Sequence, residues 1–169
     1  SRGLSRLILS QTRSMSIKKN KLEVDISRNV GPMKGEPDDE AIAKTLTSVV
    51  ECFKDEPSEI SLHIVSKKEM QDLNKRFRKK DHATNVLAFP SQIPLEEVPL
   101  LGDIVICNGV VEDEARDYEM SYSDRYKQML VHAALHLLGF DHQRAKDRIE
   151  MEKLERKFAS CLGIESPYE

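Results

Sequence analysis

The chain has 169 residues, 39% hydrophobic and 33% charged, with a formal net charge of −3 and a mean hydropathy of −0.50. That length suits one compact domain and would cramp two, and no apolar run approaches the ~18 residues a transmembrane helix needs. Aromatic residues make up 5% with no Trp, so the core should be aliphatic, and the composition excludes collagen-like, coiled-coil and disulfide-scaffold classes.

At the N-terminus, residues 1–22 hold Arg2, Arg6, Arg13, Lys18, Lys19 and Lys21 and no acid, which leaves −9 on residues 23–169. An acidic body argues against nonspecific adhesion to nucleic acid, so such a partner would need a local basic patch. Residues 1–16 are Arg- and Ser-rich, as in a transit peptide, and too short and charged for a secretory h-region. Three readings stay open: upstream-derived residues ahead of a natural start at Met15, a disordered native tail, or an organelle signal. Residues 1–20 are therefore set apart as a basic tail, and 21–169 is taken as one domain.

The first strand is predicted over Lys21–Arg28, where Leu22, Val24 and Ile26 alternate with polar residues. Gly31, Pro32, Gly35 and Pro37 mark a loop. A helix from about Asp39 to Lys54 carries Ile42, Leu46, Val49, Val50 and Phe53 on one stripe. Alternation returns over Glu59–Val65, and Ser66 with Glu69 forms a capping box that opens a helix bearing Met70, Leu73 and Phe77 on one face. Asn85–Phe89 is a third strand, stopped by Pro90, and Gly102–Cys107 a fourth, buried on both faces. Helices follow over about 109–119, capped by Asn108, over 123–138, ending at Gly139 as a C′ residue, and over 145–162. Strands early and helices late make an α+β domain with a small sheet. The cysteines Cys52, Cys107 and Cys161 are widely spaced with no CxxC, and each falls in an apolar-periodic segment, which predicts buried free thiols.

Three of the five histidines fall within eleven residues, in His132-Ala-Ala-Leu-His136-Leu-Leu-Gly139-Phe-Asp141-His142. At i,i+4 on a helix, His132 and His136 project from one face. A turn at Gly139 can bring His142 to the same point. Three neutral imidazoles with an open fourth position suit one catalytic Zn²⁺ per chain. The spacing equals the metzincin protease pattern H-E-x-x-H-x-x-G-x-x-H, except that Ala133 stands where the protease carries its general base, Glu. A peptidase mechanism therefore lacks its proton acceptor. Asp141 is suited either to orienting a ligand imidazole or to capping the turn after Gly139.

The histidine block resembles the signature of the YbeY family, metal-dependent endoribonucleases that mature ribosomal RNA. Three further segments carry the resemblance: Leu73–Pro90, with Arg78, Asp81, Thr84 and Asn85; Leu101–Cys107, with Gly102 and Asp103; and the ending from Leu162 through Gly163, Pro167 and Tyr168. It spans about residues 22–169. Departures are Ala133 for a usual Gly, Ala83 for Pro and Ala88 for Ser, none at a proposed ligand. The resemblance implies a mixed four-stranded sheet with one antiparallel strand, surrounding helices, and a metal site at the end of a central helix. It also implies a zinc-dependent, single-strand-specific endoribonuclease of ribosomal RNA maturation and ribosome quality control. Its partners would be single-stranded ribosomal RNA and a ribosomal subunit or ribosomal proteins, with no membrane. The expected location is the cytoplasm, or an organelle matrix if residues 1–16 are a transit segment. The alternatives are an RNA-binding ribosome-assembly factor with structural zinc and a non-nuclease zinc hydrolase. Whether water or the RNA 2′-hydroxyl attacks stays open.

Lys75, Arg76, Arg78, Lys79 and Lys80 put five cations into six positions. Such a run complements a helix C-terminus; in an acidic chain it is also the best phosphate-binding candidate. The resemblance makes Arg78 the catalytic member, alongside His132 and His136, and an Arg fork can hold two phosphate oxygens. Phe77 is expected in the core rather than as a base-stacking platform. His63 and His82 are expected at the surface, and Asp103 in turn chemistry. Thr84 and Asn85 could cap or line the cleft, and Glu112 and Glu114 could approach it.

Overall fold

The structure is a computed structural model describing residues 13–94, 97–141 and 145–168. Its strands are β1 (Arg13–Lys19), β2 (Leu22–Arg28), β3 (Ser58–Val65), β4 (Val86–Pro90) and β5 (Leu100–Cys107). Its helices are α1 (Asp39–Val50), α2 (Lys67–Arg78), α3 (Asn108–Asp117), α4 (Tyr122–Leu137) and α5 (Ala145–Leu162). The strands form one sheet in the order β1-β2-β3-β5-β4. The three inner strands run parallel, and β1 and β4 close the two edges antiparallel.

The α+β class holds, but the sheet has five strands where four were expected. The added strand is β1, whose whole length from Arg13↔Arg28 to Lys19↔Leu22 pairs with β2. It is hidden in a sequence reading that sets residues 1–20 apart as a basic tail; Met15 and Ile17 alternate with polar residues, but so short and exposed an edge strand is defined by its pairing with β2. Cations on an edge also discourage pairing with other chains.

Local chemistry sets the helices. Asp38 caps α1 by accepting from Ala41 N–H at 2.8 Å, and the Ser66–Glu69 capping box opens α2 as predicted. The first of these helices ends at Val50, short of the expected Lys54. At α3, Asn108 is buried and bonded to Gly31 instead of capping.

Ile42, Leu46, Val49 and Val50 of α1 and Leu130, Ala134 and Leu135 of α4 pack with Val24, Ile26, Ile60, Leu62, Ile64, Ile104 and Ile106 of the sheet to form the main core. The opposite face carries a smaller cluster in which Met70 and Leu73 of α2 meet Val65, Leu87, Val105 and Cys107. Burial of eight apolar side chains between Tyr126 and Leu137 fixes α4 in place, and His132 and His136 on it are only partly covered.

Several side chains sit elsewhere than expected. His63 is buried because β3 is a central strand whose neighbours supply polar partners: Ser27 Oγ at 2.8 Å from Nδ1 and Asp103 Oδ1 at 3.1 Å from Nε2. Asp103 thus lies inside β5, in this buried network, and not in a turn. Phe77 is 43% exposed, past the end of the α2 apolar stripe, and packs edge-on against Phe89 at 5.4 Å between centroids. Of the three free thiols only Cys107 is buried; Cys52 and Cys161 lie at helix ends, where the apolar stripe runs out into solvent.

Candidate functional site

The site is built at the C-terminal end of α4. Gly139 takes φ +100°, and its N–H bonds His136 O at 3.0 Å while Phe140 N–H bonds Leu135 O at 3.0 Å. This is the Schellman arrangement, which needs a left-handed residue at C′ and strongly favours glycine. It turns the chain so that Phe140 and Asp141 join His132, Ala133 and His136 in the wall of one cleft of about 610 Å³. The two imidazoles stand one turn apart, with centroids 4.8 Å apart and planes at 72°.

The facing wall comes from α2 and the loop behind it. Lys79 ends α2 in the left-handed region, φ 57°, and Asn74 Nδ2 donates to His82 O at 2.9 Å. The fold-back sets Arg78, Lys80, His82 and Thr84 along the cleft. Arg78 lies 5.9 Å from the Phe89 ring centroid. Lys75, Arg76 and Lys79, from the same basic run, are exposed and outside the cleft lining. Asn85 spans to Glu114 Oε1 and Oε2 at 3.1 and 3.2 Å. Glu114 also pairs with Arg125 at 3.0 Å and Glu112 with Arg116 at 2.7 Å; neither carboxylate lines the cleft.

Beneath β4, Gly102 makes the cleft wall possible. A Cβ there would stand 2.3 Å from Phe89 O and 2.7 Å from Leu137 Cδ2. Only glycine lets β4, β5 and the end of α4 approach so closely.

One participant escaped sequence reasoning. Glu155 of α5 is 4% exposed, with Oε1 3.4 Å from His132 Nδ1 and accepting from Tyr168 Oη–H at 3.2 Å. A proton on Nδ1 donated to Glu155 leaves Nε2 as the lone-pair nitrogen, the tautomer a metal ligand needs. Burial and Glu155 push the Tyr168 phenol up to about 12, so it remains a neutral donor. The signal was present: Met151, Glu155 and Phe158 share one helical stripe, and a carboxylate among core positions calls for a partner.

A metal fits this donor set in kind: two helical imidazoles one turn apart, one of them backed by a buried carboxylate. Among the described residues no cluster of three metal-ligating side chains is formed; the third expected ligand, His142, lies outside the described residues.

Fold and cleft thus define an α+β protein whose central helix ends in paired histidines facing a cation-bearing wall. The profile of the family described as "Endoribonuclease YbeY" matches residues 29–163. Relatives of that name are 41% identical over 136 residues in Idiomarina loihiensis (79% of this chain, 83% of the relative) and 38% over 151 residues in Cellvibrio japonicus (89% and 85%). A third, from Wigglesworthia glossinidia brevipalpis, is 44% identical over 113 residues (66% and 74%). The solution structure of TM1509 from Thermotoga maritima shares the fold, with a TM-score of 0.53 at 24% identity, covering 88% of this chain and 99% of that one. The chain belongs to the endoribonuclease YbeY family.

Proposed function

We propose that the chain is a zinc-dependent endoribonuclease that cleaves single-stranded RNA, with ribosomal RNA as its substrate and a ribosomal subunit as the setting. The observation that supports this most is the single cleft in which His132 and His136 meet Arg78, Lys80 and His82. Imidazoles that can hold a cation, beside cations that can hold phosphate, suit a phosphodiester. The same cleft argues against a peptidase, because Ala133 stands in its wall where the protease pattern carries its Glu general base.

His132, His136 and His142 would hold the metal, which when bound supplies Lewis-acid charge to the reacting phosphate. Glu155 fixes the ring of His132 and keeps its proton on Nδ1. Arg78 grips two phosphate oxygens with its planar fork and meets the charge that grows on them as the bond breaks. Its guanidinium lies near the Phe89 ring, which supports a fixed approach. Lys80 and His82 bind the flanking backbone, and the outlying Lys75, Arg76 and Lys79 extend the attraction along the strand. Asp141, in the cleft wall, would serve as an outer acceptor that orients a ligand imidazole.

The test is zinc content. His132→Ala, His136→Ala and His142→Ala, each purified and shown to fold, should bind well below one zinc per chain. Undiminished stoichiometric zinc in all three would dismiss the site.

A further inference from the structure

The wall opposite the histidines includes a sheet edge. Among the described residues β4 pairs with β5 alone, and Val86, Leu87, Ala88 and Pro90 line the cleft from it. Ladder bonds fix which backbone groups face outward. Cys107 N–H donates to Asn85 O at 2.8 Å and Ser91 N–H to Leu101 O at 2.9 Å. With the register Val86↔Ile106 through Pro90↔Gly102, odd-numbered residues of β4 bond to β5, and the amides of Val86, Ala88 and Pro90 point away from it.

That open edge is nearly stripped of donors. The Val86 N–H is taken by Asn85 Oδ1 at 2.6 Å, and Pro90 has no N–H. Among the described residues, Ala88 therefore carries the one N–H this strand turns outward with no partner, beside its own outward C=O. An added polypeptide strand would need donors at successive outward positions, and β4 supplies one. A single donor with an adjacent acceptor matches instead the edge of a planar base. The cations Arg78 and Lys80 in the same cleft select a polyanion as the occupant.

We infer that the outward amide of Ala88 is a nucleobase subsite: its N–H and C=O bond the Watson–Crick edge of an unpaired base of the RNA held in the cleft. Every base carries an adjacent donor and acceptor on that edge, so the contact tolerates any sequence. It does not tolerate a base already paired, since those groups are then occupied. The fold thus reads strandedness through main chain, with no side chain committed to a particular base. The inference rests on the RNA-cleaving reading above and adds how the site discriminates single strands.

The experiment measures affinity by fluorescence anisotropy for a short oligouridylate and for the same oligomer of N3-methyluridine, which keeps charge and phosphates but blocks the base edge. The zinc-loaded protein should bind the methylated oligomer about 10-fold more weakly, the value of one or two neutral hydrogen bonds. Ala88→Pro deletes the donor while leaving the bonds of Leu87 and Phe89 to β5 in place, a substitution that edge strands accept. It should shrink the difference by weakening only the unmethylated oligomer, which keeps its bond from uracil N3–H to the C=O of residue 88. Ala88→Val, which keeps the N–H, should preserve it. Equal wild-type affinities for the two oligomers would overturn the subsite, as would a folded Ala88→Pro protein that discriminates as fully as wild type. The oligomer comparison decides the question in wild type alone if Ala88→Pro fails to fold. Base-edge discrimination without any RNA cleavage would instead refute the nuclease reading and leave the subsite standing.

Discussion

Replacing Glu155 should weaken zinc binding without touching a ligand. Its carboxylate is 4% exposed and takes two donors on one oxygen, His132 Nδ1 at 3.4 Å and Tyr168 Oη at 3.2 Å. Loss of such an outer partner typically costs 10–100-fold in metal affinity, or about 1.4–2.8 kcal/mol. Glu155→Gln keeps the shape and one acceptor but loses the charge, so it should fall near 10-fold; Glu155→Ala should approach 100-fold. The Ala variant also leaves the Tyr168 hydroxyl without its acceptor, adding a folding cost of order 1 kcal/mol. Because the Tyr168 phenol is raised from 10.0 to about 12, the stability it contributes is complete below pH 10 and is lost as pH rises through about 12. Competition with a chromophoric chelator at neutral pH reads the zinc affinity, and thermal unfolding reads the folding cost separately. Wild-type zinc affinity in a folded Glu155→Ala protein would refute the coupling of α5 to His132.

Arg78→Ala should reduce RNA cleavage by ~10²–10³, as expected for a lost transition-state donor, with zinc content unchanged; Arg78→Lys should recover part of the rate. Lys79→Ala, outside the cleft lining, should only weaken RNA binding and lower its salt slope by about one phosphate, so equal, mild effects in the two Ala variants would remove Arg78 from the chemistry. Gly102→Ala forces a Cβ against Phe89 O and Leu137 and should cost ~2 kcal/mol, or roughly 4–8 °C in Tm, which differential scanning calorimetry would register. Native-state alkylation followed by mass spectrometry should modify Cys52 and Cys161 and spare Cys107, whose thiol is buried and raised by desolvation.

Much of the fold is written in local pattern. The alternation at Leu22–Ile26 and Ile60–Ile64, the Ser66 capping box and the Gly139 stop each have a near-neighbour cause, and each element stands where that cause places it. What pattern cannot reveal is partnership across the chain. The strand β1 is identified by its mate, β2, and not by its own composition. His63 reads as an outward residue until β2 and β5 flank it with Ser27 and Asp103. At the site, the helical spacing of His132 and His136 was legible, and their placement beside Arg78 in one cleft follows from tertiary packing. Glu155 and the open edge of β4 were not foreseen, because each acquires meaning only from residues far away in sequence. The basic run, uniform as a string, is sorted by the end of α2 and the left-handed turn at Lys79 into cleft-lining Arg78 and Lys80 and outlying Lys75, Arg76 and Lys79.

The most direct test of the proposed activity is cleavage of a labelled single-stranded RNA by protein stripped with a chelator, by the same protein with zinc restored, and by folded His132→Ala under both conditions. The account predicts no cleavage after stripping, recovery on adding zinc, and no recovery in His132→Ala. Undiminished cleavage by the stripped protein, or by His132→Ala, would contradict it.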